Sequence, residues 1–252
     1  MTITSPPQHQ ARSGVKAWLA WLRPERSVPV TRWRAPSRWK ASPPTFAVLI
    51  IGLWFFGMGE AFIIDAGLGV SPWTVLAQGL TVRTGLSIGV TSFIIGCVVL
   101  LLWIPLREKP GLGTIANIIV ISIAIEVMTT VLPTPDHFLL QLLCVLTGIA
   151  CIGIGSGLYL TTNLGPGPRD GWMTSIHRRT GWPVAIVRTS IEVIVLLTGW
   201  LLGGTVGLGT LLFAGLIGTS VGYGLKLVRR FGGRKDEPQA SVEEDEFPEL
   251  EA

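Results

Sequence analysis

Charge is scarce in this sequence. Asp, Glu, Lys and Arg make up 14% of its 252 residues, where a soluble globular domain carries about 25%, and nearly all of them fall outside long apolar runs. An evenly charged, water-facing domain is excluded. Histidine and cysteine are scarcer still, at three each. His9, His137 and His177 are scattered, and Cys97, Cys144 and Cys151 all stand inside apolar runs with no C-x-x-C among them. The sequence therefore offers neither a metal site nor a disulfide framework, and the cysteines read as small packing residues. No nucleotide loop ending in Gly-Lys-Ser/Thr occurs, and no His, Asp and Cys stand at catalytic spacing. No cofactor, no enzymatic activity and no nucleic-acid partner are expected. A cleavable signal peptide is not expected either, because the first long apolar run begins only near Phe46, behind a segment rich in Pro, Arg and Trp.

Apolar sequence and glycine are abundant, at 48% hydrophobic residues and 31 Gly. Six runs, 45–66, 86–106, 113–132, 138–162, 184–203 and 208–228, are each long enough at ~1.5 Å per residue to cross a hydrocarbon core of ~30 Å. Residues 52–122 and 148–218 are two versions of one unit at a constant offset of 96. The shift sets Gly57-Met58-Gly59 on Gly153-Ile154-Gly155, Thr84-Gly85 on Thr180-Gly181, and Gly111-Leu112-Gly113-Thr114 on Gly207-Leu208-Gly209-Thr210. Each copy holds three spans, and an odd number forces the second copy into the membrane upside down, as in many transporters. The expected fold is an all-α membrane protein: six transmembrane helices as two inverted three-helix repeats, each with a short interfacial or re-entrant helix. Repeat 1 is placed at 45–132 and repeat 2 at 138–228. A basic segment, 1–44, precedes them and a disordered tail, 229–252, follows.

Lys and Arg assign the sides. With loops placed alternately, 18 of the 20 fall on the side of both termini, Arg83 alone falls on the other, and Arg188 lies inside a span. Cytoplasmic loops hold such an excess, so both termini are expected in the cytoplasm. Residues 14–23 place Val15, Trp18, Leu19 and Leu22 at helical spacing with basic flanks. They read either as a helix on the inner membrane surface or as part of a mostly disordered tail that helps set orientation. The acidic stretch 236–252 reads as disorder, with partner binding as the alternative.

Residues 67–85 and 163–181 are too short and too polar to span. Ser71-Pro72 and Gly167-Pro168 mark helix starts, since proline is tolerated in a first turn, and Thr84-Gly85 and Thr180-Gly181 mark stops. Glycine and proline at a helix start leave N–H groups free for an anion, and Gly165, Gly167, Arg169 and Asp170 bring a guanidinium to one such start. The alternative is a sharp turn closed by an Arg169–Asp170 ion pair. Inside the spans each ionisable group asks for a partner or a watery cavity. Glu192 lies nine residues past Pro183, ~13 Å into the membrane at helical rise, with Arg188 four residues earlier on the same face, so the two can pair along the helix, either at a solute site or as a structural pair that locks the fifth span against its neighbours. Glu60 and Glu126 sit in the first and third spans and are expected to face one another or a polar cavity. The equivalents of Arg188 and Glu192 in the first copy are Ser92 and Gly96.

Leu68-Gly69-Val70-Ser71-Pro72-Trp73, Pro110-Gly111-Leu112-Gly113-Thr114, Leu164-Gly165-Pro166-Gly167-Pro168-Arg169-Asp170-Gly171 and Gly199–Thr210 carry a resemblance to the bacterial YczE/YyaS/YitT group of integral membrane proteins, nearest its YczE-like branch. The resemblance covers roughly residues 45–228 and implies a bacterial inner-membrane protein, with no biochemical activity to carry over. The residues themselves lead to a transporter or permease for a small solute, with small molecules and anions as the candidate classes. Its candidate contacts are Glu192, Arg188, Arg169, Asp170, Gly165, Gly167, Glu60 and Glu126. A non-transporting accessory or scaffold protein is the rival reading, and it predicts a filled core where a transporter predicts a polar cavity reaching Glu192.

Overall fold

The computed structural model describes residues 24–25 and 27–233; the stretches 14–23 and 236–252 lie outside the described residues. These residues form nine helices: α1 (Pro43–Ala66), α2 (Pro72–Thr84), α3 (Ile88–Leu101), α4 (Trp103–Leu106), α5 (Leu112–Val131), α6 (Phe138–Leu160), α7 (Pro168–Thr180), α8 (Val184–Leu201) and α9 (Leu208–Gly232). Six stretches, α1, α3 with α4, α5, α6, α8 and α9, are long and apolar enough to cross a membrane. The helix α1 starts at Ser42, whose hydroxyl accepts the Thr45 N–H at 3.4 Å, with proline in the first turn. The short helices α2 and α7 start on the expected prolines and stop on the expected glycines, Gly85 and Gly181, whose N–H groups bond back to Thr81 and His177.

Two boundaries differ from the sequence reading. The second run is not one helix, because Pro105 has no N–H and its ring would clash with the carbonyl of Leu101; α3 stops at Leu101 and α4 follows as a single turn. At the other end of the chain α9 continues through Gly232, so the expected tail at 229 begins as helix. Arg229 and Arg230 in that last turn suit the negative end of the helix dipole, and Arg229 pairs with Glu25 at 3.1 Å.

At the centre α1 and α6 cross. Gly52 faces Gly155 and Gly59 faces Gly148, so numbering rises along one helix as it falls along the other and the two run antiparallel. A Cβ at Gly59 would sit 2.5 Å from the Gly148 carbonyl, and one at Gly148 equally close to that of Gly59. Small residues of this kind allow close packing where lipid supplies no hydrophobic drive between helices. Against α1 lies α5, with Gly57 on Ala124, and against α6 lies α9, with Gly153 on Ser220.

The connecting loops are tied crosswise. Gly113 N–H donates to Leu164 O at 2.8 Å and Thr114 Oγ1 to Pro166 O at 2.8 Å, fastening the loop before α7 to the first turn of α5. Gly209 N–H donates to Leu68 O at 2.8 Å and Thr210 Oγ1 to Val70 O at 2.9 Å, fastening the loop before α2 to the first turn of α9. A shift of 96 converts each bond into its counterpart. These four bonds thus form two equivalent pairs exchanged between the copies.

Residues 27–42 close one end of the bundle rather than trailing from it. Arg32 N–H bonds Gly232 O at 3.0 Å, Leu112 N–H bonds Arg38 O at 2.9 Å, and Asn163 Nδ2 bonds Ala35 O at 3.0 Å. The Glu108–Arg178 ion pair lies among these basic loops. Elsewhere, Val70 N–H bonds Thr205 O at 3.3 Å and Arg83 Nε bonds Leu202 O at 3.1 Å, joining the loops that hold little Lys or Arg.

Candidate functional site

Between the two copies lies a cavity of about 270 Å³. The first turns of α2 and α7 both reach it, as Ser71, Pro72, Trp73 and Thr74 from one and Gly167, Pro168, Arg169 and Asp170 from the other. Neither Ser71 nor Gly167 makes a side-chain cap to its helix, so the first N–H groups of both helices have no side-chain partner there. Trp103 holds α7 in place: its ring is 1% exposed and packs on Gly171, and its Nε1–H donates to Pro168 O at 2.9 Å.

Glu60 projects from α1 and is 2% exposed. Ser71 Oγ lies 3.2 and 3.1 Å from its two carboxylate oxygens, and Thr74 Oγ1 donates to Oε2 at 2.8 Å. The serine that would have capped α2 is drawn to this carboxylate instead. Opposite, the Arg169 guanidinium stacks over the Trp73 ring, 4.9 Å from its centroid. Such a contact stabilises a desolvated cation by roughly 1–2 kcal/mol and leaves the guanidinium edge open. Among the described residues Arg169 makes no ion pair within 4.0 Å, although Glu60, Asp170 and Glu192 lie within electrostatic range. Asp170 accepts a hydrogen bond from Tyr159 Oη at 3.2 Å.

Five of the expected site residues beyond Glu60 line the same cavity or pair within it. Arg188 and Glu192 form the anticipated i, i+4 pair at 2.9 Å, with side chains 52% and 32% exposed on the cavity wall. Gly167, Arg169 and Asp170 line it as well. The ion pair between Arg169 and Asp170 does not form: Asp170 turns to Tyr159 and Arg169 to Trp73. Gly165 is not on the wall; with φ of +111° it makes the turn that presses on Thr114 and Gly111. Glu126 does not face Glu60. Its Oε2 accepts the Gly89 N–H at 2.9 Å, at the first turn of α3, where a carboxylate satisfies a free donor and the helix dipole.

Sequence reasoning missed Ser71, Thr74, Trp73 and Tyr159. The signal for three of them was present, since the shift of 96 places Ser71, Trp73 and Thr74 on Gly167, Arg169 and Asp170. Tyr159 had no such signal, being an aromatic in an apolar helix.

The two copies differ where the charges sit. In the first, α3 runs close along α5: a Cβ at Gly89 would lie 2.6 Å from that of Glu126, and one at Gly96 would lie 2.9 Å from Ile118. In the second, Arg188 and Glu192 replace Ser92 and Gly96, and α8 and α9 make no comparable approach. Arg188 and Glu192 of α8 and Phe213, Ile217 and Val221 of α9 instead flank the cavity. Among the described residues no group of three or more His, Cys, Asp or Glu stands close enough to hold a metal ion.

Six candidate spans around a cavity lined by ionisable groups define a polytopic helical membrane protein. The chain belongs to the family DUF6198, described as a family of unknown function, whose match covers residues 44–226. It is 44% identical over 205 residues to a protein of Haemophilus influenzae with the name "Uncharacterized protein", covering 81% of this chain and 94% of that one. It is 33% identical over 176 residues to the "Uncharacterized membrane protein YczE" of Bacillus subtilis, covering 69% and 82%. Over 184 residues it is 28% identical to the "Uncharacterized protein YyaS" of the same organism, covering 71% and 92%. No solved structure matches.

Proposed function

We propose that the protein is a transporter or permease for a small solute, set in the bacterial inner membrane as two inverted three-helix repeats with both termini cytoplasmic. The observation that carries this reading is the cavity between the copies, which reaches Glu192 and gathers both guanidinium and carboxylate side chains. Charged groups are costly in the hydrocarbon unless they are paired or face a hydrated cavity, and an interior space that gathers five of them marks a solute path more readily than a filled scaffold core. The antiparallel α1 and α6 and the crosswise bonds between loops support the inversion. The gathering of Lys- and Arg-bearing loops around residues 27–42 supports the orientation.

In this reading Glu192 is the coupling or binding acid, Arg188 its counter-ion, and Arg169 with the α7 first turn the anion contact. Transport is facilitative or driven by an ion gradient, with no enzymatic step. Reconstitution into proteoliposomes tests it, with uptake screened across anions and small metabolites. At least one solute is expected to accumulate faster than in empty vesicles, and Glu192→Gln is expected to lower that flux or remove its pH dependence. Flux unchanged in Glu192→Gln would remove Glu192 from the mechanism; no flux for any solute would favour the scaffold.

A further inference from the structure

We infer that the cavity binds a small zwitterion of the α-amino-acid type, its carboxylate on Arg169 and its ammonium between Glu60 and Asp170. The inference rests on the reading of the cavity as a solute site and adds the chemical class of the solute.

Five ionisable side chains line the space: Glu60, Asp170, Glu192, Arg169 and Arg188. Arg188 and Glu192 neutralise one another at 2.9 Å. Of the remaining three, none has an ion pair within 4.0 Å among the described residues. Glu60 is held by the hydroxyls of Ser71 and Thr74, and Asp170 by that of Tyr159. Hydroxyl bonds leave lone pairs on each carboxylate for a further donor. Arg169 has its face on Trp73 and no described hydrogen-bond acceptor for its N–H groups, and a guanidinium edge of this kind fits a carboxylate through two parallel bonds.

Charge complementarity then selects the solute. A simple anion drawn to Arg169 meets two carboxylates nearby, and a simple cation drawn to those carboxylates meets Arg169. A molecule bearing both charges a few bonds apart satisfies all three groups at once. Arg169 lies within electrostatic range of both Glu60 and Asp170 around one small cavity, so the two charges they receive fit a single small molecule. Size agrees: about 270 Å³ is below the ~300 Å³ at which pockets for drug-sized ligands begin, which suits one amino acid rather than a peptide.

Calorimetric titration of the purified full chain in lipid nanodiscs decides the point without any requirement for flux. The probes are matched sets: glycine, L-alanine and L-leucine; their hydroxy-acid counterparts glycolate, L-lactate and L-leucate; and the three amino-acid methyl esters. At least one zwitterion is expected to bind ten-fold or more tightly than both of its single-charge counterparts. Arg169→Gln is expected to abolish the discrimination against the ester, and Asp170→Asn to reduce that against the hydroxy acid. Should either variant fail to fold, the comparison among probes on the natural protein decides alone. A hydroxy acid or an ester that binds as tightly as its amino acid overturns the inference, as does failure of all three amino acids to bind. Zwitterion binding without uptake would leave this site standing and remove transport; uptake of another solute by a protein that binds none of the three would do the reverse.

Discussion

Glu60 and Glu192 are both acids within spans, yet their surroundings give them different roles. Glu60 is 2% exposed and anchors two hydroxyls of α2, while Glu192 shares one bond with Arg188 on the open wall of the cavity. Glu60→Gln removes one of the two acceptor oxygens and turns bonds to a charged acceptor into neutral ones, and is expected to cost about 1–3 kcal/mol. Glu192→Gln removes an accessible ion pair and is expected to cost less than about 1 kcal/mol. Thermal unfolding of both variants in one detergent gives the order; equal losses would make Arg188–Glu192 a structural lock. From the chain alone Glu192 stood out, because its depth in the span can be counted. The burial of Glu60 could not be counted, since it depends on α2 folding back over α1.

Among the helices, α2 and α7 were legible as starts and stops, because proline and glycine act through local backbone chemistry. Their placement against the cavity was not, because it is set by hydrogen bonds across 52 and 140 residues, from Thr114 to Pro166 and from Thr210 to Val70. Replacing either hydroxyl by a methyl leaves a carbonyl without that donor. Thr114→Val and Thr210→Val are each expected to destabilise by about 1–3 kcal/mol. The two ties share no partner, so the double variant is expected to lose the sum. Denaturation of the single and double variants tests this, and a double loss well short of the sum would mean that the two loops move as one unit.

For the whole molecule the sharpest expectation concerns sidedness. In a variant with Cys97, Cys144 and Cys151 replaced, Thr134→Cys and Thr205→Cys are expected to react with an impermeant thiol reagent added to intact cells. Arg107→Cys and Arg178→Cys are expected to react only after the membrane is opened. External labelling at Arg178→Cys would sink the inverted arrangement, since α7 would then share a side with α2. All four positions are exposed, so a lack of labelling reports the membrane rather than burial.

The amino-acid sequence by itself determined the number of candidate spans, the repeat at an offset of 96 and the ends of α2 and α7. Hydropathy, duplication and the chemistry of Pro and Gly are all read along the chain. It also identified Arg188, Glu192 and Glu60, because a charge in an apolar run is visible without coordinates, and Arg169 and Asp170, because they follow a Gly-Pro helix start. Only the tertiary structure decided which of these meet. Glu126 went to a helix start and Gly165 to a turn, while Ser71, Thr74, Trp73 and Tyr159 joined the cavity. The physical reason is that a polar side chain in a low-dielectric interior takes the nearest partner that the packing of other helices brings to it, and the chain alone does not record that neighbour.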